Sequence, residues 1–375
     1  ALEIVPGLHQ IKTPMPSPAL PYVLAYVLEG NDGVTLFDTG YGTPEATAAM
    51  TAGLKTLWHE PKDVKRVIVS HFHPDHLGMV GWFREQSPDV ELVLGAKEWE
   101  YMAHRVPHPG AYGGDRKDAQ KDEAAKDGKG SIGSEDWFRL ADDWMMQHGI
   151  TQAEVDAGRA SGHDRPPGMS AAAKDSASKS PQSHGMMMSM GAGEPEVKLE
   201  DGEALEFDGW SFEAVWTPGH TPGHLCLYER NHRLMFTGDH VLPHITPNVS
   251  LHQDQEGSSP LADFRSSLRK VAAYDTALAL PAHEFNIRDL PARAHGLIEH
   301  HDERLDEVRH AIGDSASTAS DVSSRVHWNT GPFANFDIFS KRSALGETLS
   351  HLVVLEDTGR VRRVESDGLV LWEQI

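Results

Sequence analysis

A single cysteine, Cys226, stands among the 375 residues, so no intramolecular disulfide framework can form and a reducing compartment is the natural setting. Its neighbours Leu225, Leu227 and Tyr228 mark it as a packed strand position. Long apolar runs are missing too: the longest near the start, residues 20–28, is too short to span a bilayer and lacks the basic flank of a signal peptide. No membrane partner is expected, and the cytoplasm is the default location. Positive charge is scarce. With 34 Lys and Arg against 56 Asp and Glu, the net charge of -22 repels nucleic-acid phosphates and anionic membranes unless a basic patch is locally concentrated. The same balance fits a high-salt habitat.

Histidine, by contrast, is plentiful, with 23 residues unevenly spread. The stretch Ser70-His71-Phe72-His73-Pro74-Asp75-His76-Leu77-Gly78 sets three imidazoles and a carboxylate close together, directly after residues 64–69, which have the composition of a buried strand. His71 and His73, two apart at a strand end, project from one face, and Pro74 turns the chain so that Asp75 and His76 address a neighbouring position. Imidazole with carboxylate suits zinc, and also iron or manganese. A structural zinc site is usually closed by four protein ligands, often thiolates, so one cysteine argues for a nitrogen and oxygen site with a position open to water. Three further places have a strand followed by a tight turn carrying a ligand-type side chain: residues 214–224, with His220 and His224; 234–239, ending in Asp239; and 277–283, ending in His283. One such residue is usually a hydrogen-bonded turn. Four such strand ends in one chain are harder to dismiss.

On these residues the chain resembles the metallo-β-lactamase fold hydrolases, and within them the glyoxalase II-like branch. Phe37-Asp38-Thr39-Gly40, His71 to Gly78, Thr217 to His224, Gly238-Asp239 and Ala282-His283-Glu284 follow the family's order across most of residues 20–285. The resemblance implies one metal held by His71, His73 and His220, a second held by Asp75, His76 and His283, and Asp239 bridging both. The cofactors so implied are two divalent ions, zinc first, with iron or manganese as alternatives. Asp38 is a candidate for orienting ligands from behind, with a helix cap or turn as the plain alternative. His224 reads as a supporting or structural residue, while His240 and His244 face either the pocket mouth or an exposed loop.

The expected fold class is α/β, an αββα metallo-β-lactamase sandwich with a helical insertion and a small C-terminal winged-helix-like domain. Alternating strands and helices, with all candidate ligands at strand ends, independently suggest two sheets face to face with helices outside. The hydrolase domain is placed at residues 1–289, with 105–195 as the insertion, because 144 residues separate His76 from His220. Within it a helix from Ser134 runs through Trp137, Leu140, Trp144 and Met145. Thr151 to Glu154 is a capping box, residues 161–182 read as mobile, and the methionines of 184–190 pack the insertion onto the core. The insertion is the candidate lid. Residues 290–375 make the second domain: a polar helix at 291–312 with His300 and His301 exposed, a Ser-rich linker with a possible short helix at 313–324 and an amphipathic helix at 343–356. A hairpin through Ser366-Asp367-Gly368 follows, with Arg360, Arg362 and Arg363 on the wing.

The leading expectation is metal-assisted hydrolysis of a small-molecule acyl substrate, a thioester, lactone, ester or β-lactam, by hydroxide held between two ions with Asp75 and Asp239 orienting it. One alternative is a single-strand endoribonuclease, by resemblance to glyoxalase II-like proteins with an appended winged helix. Another is a winged-helix regulator that binds nucleic acid over a vestigial metal core. A two-iron redox protein with a flavin partner is disfavoured, since that branch carries Glu where this chain has His73. The acidic charge weighs against nucleic acid, so the C-terminal domain reads as a packing or homodimerisation element.

Overall fold

The computed structural model describes residues 1–17, 20–104, 134–161 and 192–375, so the sequence expectations for 162–191, the mobile stretch and methionine cluster among them, lie outside it. Seven strands form the first sheet in chain order: β1 (Leu2–Val5), β2 (Leu8–Pro14), β3 (Tyr22–Glu29), β4 (Val34–Phe37), β5 (Val64–Val69), β6 (Glu91–Gly95) and β7 (Val197–Leu199). Pairing is antiparallel up to β4 and parallel from there on. The second sheet has the order β12-β11-β10-β9-β8, built from β8 (Ala204–Phe207), β9 (Trp210–Trp216), β10 (Leu225–Glu229), β11 (Leu234–Gly238) and β12 (Leu278–Pro281). Its β11 and β12 run parallel.

Side-chain alternation explains why the sheets stack. In β3, Leu24, Tyr26 and Leu28 point between the sheets, whereas Ala25 and Val27 point away from the second sheet. Both faces are buried, so the strand reads as a continuous apolar run. Between the sheets, Phe37, Ile68 and Val93 meet Phe212, Leu227, Phe236 and Leu280. Each such side chain contributes about 1.5–3 kcal/mol on burial. The first sheet's outer face is covered by α1 (Pro44–Thr56) and, after the short α2 (Pro74–Leu77), by α3 (Val80–Gln86), through Met50, Leu54, Val80 and Phe83. The chain behind His76 is thus helical in two pieces, α2 and α3. Next come α4 (Ala96–His104), α5 (Ser134–Gln147), α6 (Gln152–Ser161), α7 (Pro260–Ala272), α8 (Leu290–Ile312), α9 (Ala319–Arg325) and α10 (Ile338–Asp357).

The outer face of the second sheet, through Val215, Cys226, Met235 and Ala279, shares one core with α7, α8 and α10. Trp144 and Met145 of α5 and Val155 of α6 join the same core, and the capping box forms, with Thr151 N–H donating to Glu154 Oε2 at 2.8 Å. Helices α5 and α6 and the turn between them therefore rest on the C-terminal region: Lys341 of α10 pairs with Glu154, and Ser320 N–H donates to His148 O at 2.9 Å.

A third sheet, order β13-β15-β14, closes the chain with β13 (Ser317–Thr318), β14 (Val361–Ser366) and β15 (Leu369–Gln374). Three sequence expectations change here. Residues 313–324, read as a Ser-rich linker with a possible short helix, hold β13 and most of the helix α9, with Ala319 and Val322 buried rather than in an exposed linker. The helix expected at 343–356 begins at Ile338 and is buried on nearly every side. Its polar residues only looked solvent-facing: Thr348 accepts from Ser323 Oγ at 2.8 Å, and His351 Nδ1 donates to Glu347 O at 2.8 Å. His301, expected on the surface, is buried between Phe264 and His351, because α8 is covered by α7 and α10. Among the described residues no helix is long and apolar enough to cross a membrane.

Candidate metal centre

Five strand ends meet at one edge of the sandwich. β4 ends before Asp38, β5 before the turn from Ser70 to His76, β9 before the loop bearing His220, β11 at Gly238-Asp239 and β12 before His283. Backbone bonds tie these ends together: Leu225 N–H donates to Ser70 O at 2.9 Å and Ala282 N–H to Gly238 O at 3.0 Å. Gly238, at φ 49°, permits the approach of Asp239, since a Cβ there would lie 2.7 Å from Ser70 Cβ and 2.8 Å from His224 Nε2.

The seven sequence-expected ligands fall into two groups, His71, His73 and His220 in one, and Asp75, His76, Asp239 and His283 in the other. In the first, His71 Nε2 lies 2.9 Å from His73 Nδ1 and 3.2 Å from His220 Nε2, which is 3.0 Å from His73 Nδ1. The outer nitrogens are engaged elsewhere, His71 Nδ1 with Ser70 Oγ at 2.9 Å and His220 Nδ1 with Asn248 O at 2.8 Å. A backbone carbonyl only accepts, so His220 carries its proton on Nδ1 and turns a lone pair inward. In the second, His283 Nε2 is 3.3 Å from both Asp75 Oδ2 and Asp239 Oδ1, and its Nδ1 donates to Tyr22 O at 3.1 Å. Asp239 Oδ2 stands 3.5 Å from His76 Nε2 and 3.7 Å from His220 Nε2, between the groups.

Burial and charge divide the groups. Burial, followed by the mutual repulsion of neighbouring imidazoles, holds His71 and His73 well below the usual histidine range. Burial likewise lowers His220. These three are neutral imidazoles. In the carboxylate group burial works against charge but loses: His283 is pushed up to about 10 by Asp239 and Asp75, and His76 well up by Asp75, Asp38 and Asp239. Burial would raise Asp75 and Asp239, yet the paired histidines hold Asp75 at about 2 and Asp239 well below the carboxylate range. Two buried carboxylates thus demand positive charge in their midst, which two imidazolium protons or a divalent cation can supply.

The residues fit such a cation on a second count. His76 Nε2, His283 Nε2 and Asp239 Oδ1 are buried and have no hydrogen-bond partner. Atoms of that kind are costly unless something coordinates them. Neutral imidazoles and carboxylates without thiolate form a donor set for zinc, iron or manganese.

Of the other candidates, Asp38 and His224 lie against the two groups, His244 at the surface and His240 in the interior. Asp38, at φ 57°, accepts from Ser70 N at 2.8 Å with one oxygen, and its other oxygen accepts from His76 Nδ1 at 2.8 Å and Ser70 Oγ at 2.9 Å. His224 bonds Thr217 Oγ1 through Nδ1 at 2.8 Å and accepts from Asp239 N through Nε2 at 3.2 Å, so it supports rather than ligates. His244 lies exposed, its ring 5.0 Å from that of Phe285. His240 faces neither the pocket mouth nor solvent; it is wholly buried against Phe264, because the chain turns inward after Asp239.

Glu98 was not foreseen. Its buried carboxylate accepts from Phe72 N at 2.9 Å, Thr221 Oγ1 at 2.8 Å and Gly223 N at 2.9 Å, joining the two loops of the three-histidine group. A glutamate in the first turn of a helix reads from sequence as a solvent-facing residue that complements the helix dipole. The one available signal was Gly223, where a Cβ would sit 2.0 Å from Glu98 N.

Residues 20–283 match the description Metallo-beta-lactamase superfamily. The chain is 24% identical over 350 residues to the probable metallo-hydrolase YqjP of Bacillus subtilis, covering 92% of this chain and 91% of that protein. It is 35% identical over 101 residues to an atrochrysone carboxyl ACP thioesterase of Aspergillus fumigatus, covering 27% of this chain and 22% of that one. Over the lactamase-like and thioesterase relatives generally, the matched stretch spans only 22% to 41% of their length. In structure it resembles a metallo-beta-lactamase family protein from Thermus thermophilus, with a TM-score of 0.70, 25% identity and 100% coverage of both chains.

Proposed function

The chain belongs to the metallo-beta-lactamase superfamily and is a metal-dependent hydrolase, and from that premise we propose a binuclear enzyme acting on an acyl carbonyl, with a thioester as the leading substrate class. One observation carries the reading: seven ligand-type side chains from four strand ends form two adjacent groups, with Asp239 between them. His71, His73 and His220 would hold one divalent ion, Asp75, His76 and His283 the other, and Asp239 both. The chemistry that such a pair supplies is hydroxide available near neutral pH and polarisation of a carbonyl oxygen.

The chain's own groups do the rest. Burial keeps the three imidazoles of the first group free of protons. Asp38 holds the proton of His76 on Nδ1, so that Nε2 faces the centre. Asp75 and Asp239, ionised at neutral pH, can accept hydrogen bonds from a water and orient it for attack. The thioesterase named among the relatives favours a thioester over esters, lactones and β-lactams.

Phosphodiester cleavage would suit the same centre, but the surface speaks against it. Arg360 pairs with Asp306, Arg362 with Glu373, and Arg363 lies between Glu256 and Glu356, so the wing's positive charge is neutralised. The helix, strand, helix, helix, hairpin order of α8, β13, α9, α10, β14 and β15 supports a winged-helix reading of the C-terminal region. Its α10 is nevertheless too buried to enter a groove, which favours a packing role.

Metal analysis and an assay panel of thioesters, lactones, β-lactams and labelled RNA test the proposal. About two metals per chain and thioester turnover are expected, with turnover abolished in a folded Asp239→Ala variant. A protein with two metals that cleaves only RNA would overturn the substrate assignment. One that binds no metal would overturn the centre itself.

A further inference from the structure

His220 owes its orientation to Asn248, whose carbonyl oxygen receives the Nδ1 proton at 2.8 Å. Asn248 belongs to no strand or helix, so something else must fix that carbonyl. Among the described residues, the hydrogen bonds that the segment from Asn248 to Leu251 makes outside itself lead to His220 or to α10. Asn248 Nδ2 donates to Glu347 Oε2 at 3.4 Å, and Leu251 N–H donates to Gly346 O at 3.0 Å. Ser250 Oγ lies 2.6 Å from Asn248 Oδ1 and 3.2 Å from Ser343 O, bracing the amide from the other side.

The closeness of this contact is built into the helix. Gly346 sits in mid-helix, where glycine costs about 1 kcal/mol relative to alanine. A Cβ there would lie 2.9 Å from both Leu251 O and Ser250 Cβ, tighter than side chains tolerate. Glu347 is in turn backed by Arg304 of α8, at 3.8 Å. Packing thus runs from α8 through α10 and the loop to a single imidazole.

We propose that α10 positions His220 through Asn248, so that C-terminal residues beyond the family-matched stretch 20–283 set the affinity of the three-histidine group for its cation. Glu347 is a positioning residue and touches no ion. The inference rests on the reading of His71, His73 and His220 as a cation site. Geometry supports it at each step: a donor and acceptor pair at His220, an amide held on both sides, and a helix that lacks a side chain where the loop crosses it.

Cobalt(II) titration of the full chain tests this, read by the visible absorption of the bound ion and by competition with a chelator. Glu347→Ala should weaken one of the two binding steps about tenfold and alter that step's spectrum, leaving the other step unchanged. Glu347→Gln retains an oxygen acceptor for the Asn248 amide and should return close to the parent. If Glu347→Ala does not fold, Ser250→Ala removes the brace on Asn248 Oδ1 and the contact to Ser343 O while leaving every residue of α10 unchanged, and the same selective weakening is expected. Parent-like affinity and spectrum in the folded variant, or equal weakening of both steps, overturns the relay. A parent protein that takes up no cobalt overturns the metal centre instead, and so separates the two failures.

Discussion

Glu98 and Thr221, 123 residues apart in sequence, are joined by a buried hydrogen bond of 2.8 Å, the threonine hydroxyl donating to the carboxylate. The same carboxylate receives the backbone N–H groups of Phe72 and Gly223. It therefore holds the loop of His71 and His73 against the loop of His220 without being a ligand. Glu98→Gln keeps the volume but presents an NH2 group to donors that need an acceptor. It should cost about 2–3 kcal/mol of stability, the penalty of leaving buried donors unpaired, and should weaken cation uptake at the three-histidine group. Urea melts with zinc competition check both effects; a variant of parental stability and affinity would reduce Glu98 to a bystander.

Asp38 governs the other group by the same logic. Its oxygens accept from Ser70 N–H, Ser70 Oγ and His76 Nδ1. In Asp38→Asn the single amide oxygen must satisfy the Ser70 N–H, so the NH2 group turns toward His76 and favours the wrong tautomer. Asparagine tolerates the left-handed backbone at φ 57°, which removes strain as a rival cause. Metal affinity at the second step should fall about 10–100-fold with the circular dichroism spectrum retained. Isothermal titration resolves the two steps, and an unaltered second step would sink the tautomer argument.

Acid stability follows from histidines remote from the metal groups. Burial pushes His351 down to about 4 and His148 to about 3, the latter helped by Arg363. Both folded-state values lie below the unfolded value near 6.5. Between about 6.5 and 4 the unfolded chain binds protons that the folded chain refuses, so stability falls as pH falls, by about 1.4 kcal/mol per pH unit for each residue. His283, raised to about 10, acts in another window: its contribution in metal-free protein is fully present below 6.5 and lost as pH rises through 10. Denaturant melts of metal-free protein between pH 7 and 5 should show the decline, and His148→Phe, which keeps a ring against Trp144, should flatten it by about one proton. An unchanged slope in that variant would show that His148 titrates normally.

The sequence displayed the candidate ligands because each is marked locally, by an apolar strand run and a turn residue. The turn of Pro74, or Gly238 before Asp239, leaves a signature within a few positions. Glu98, Asn248 and Gly346 carry no such mark, since their roles come from partners 26 or more residues away or from close approach of backbones. Polar residues on α8 and α10 misled for a related reason. His301 and His351 contact each other at 3.2 Å and need no solvent, yet polarity alone places them on the surface. Local pattern reports which strand ends bear ligands; it does not report what braces them.

Cation removal should expose how far the fold depends on its centre. In the second group His76 Nε2, His283 Nε2 and Asp239 Oδ1 are buried without a hydrogen bond, and in the first group three neutral imidazoles lie within 3.2 Å of one another. A cation coordinated by these atoms would be the partner they lack. An ion present at a thousand times its dissociation constant stabilises the folded chain by about 4 kcal/mol. Chelation should therefore lower the thermal midpoint by several degrees, with recovery on adding back zinc, manganese or iron and the largest recovery identifying the preferred ion. Because the three-histidine group is already free of protons whereas His76 and His283 must lose theirs, uptake at the second group alone should release protons and strengthen with rising pH. Proton release measured in two buffers of different ionisation enthalpy separates the groups. If both steps, or neither, released protons, the division of the centre into a neutral and a charged half would be wrong.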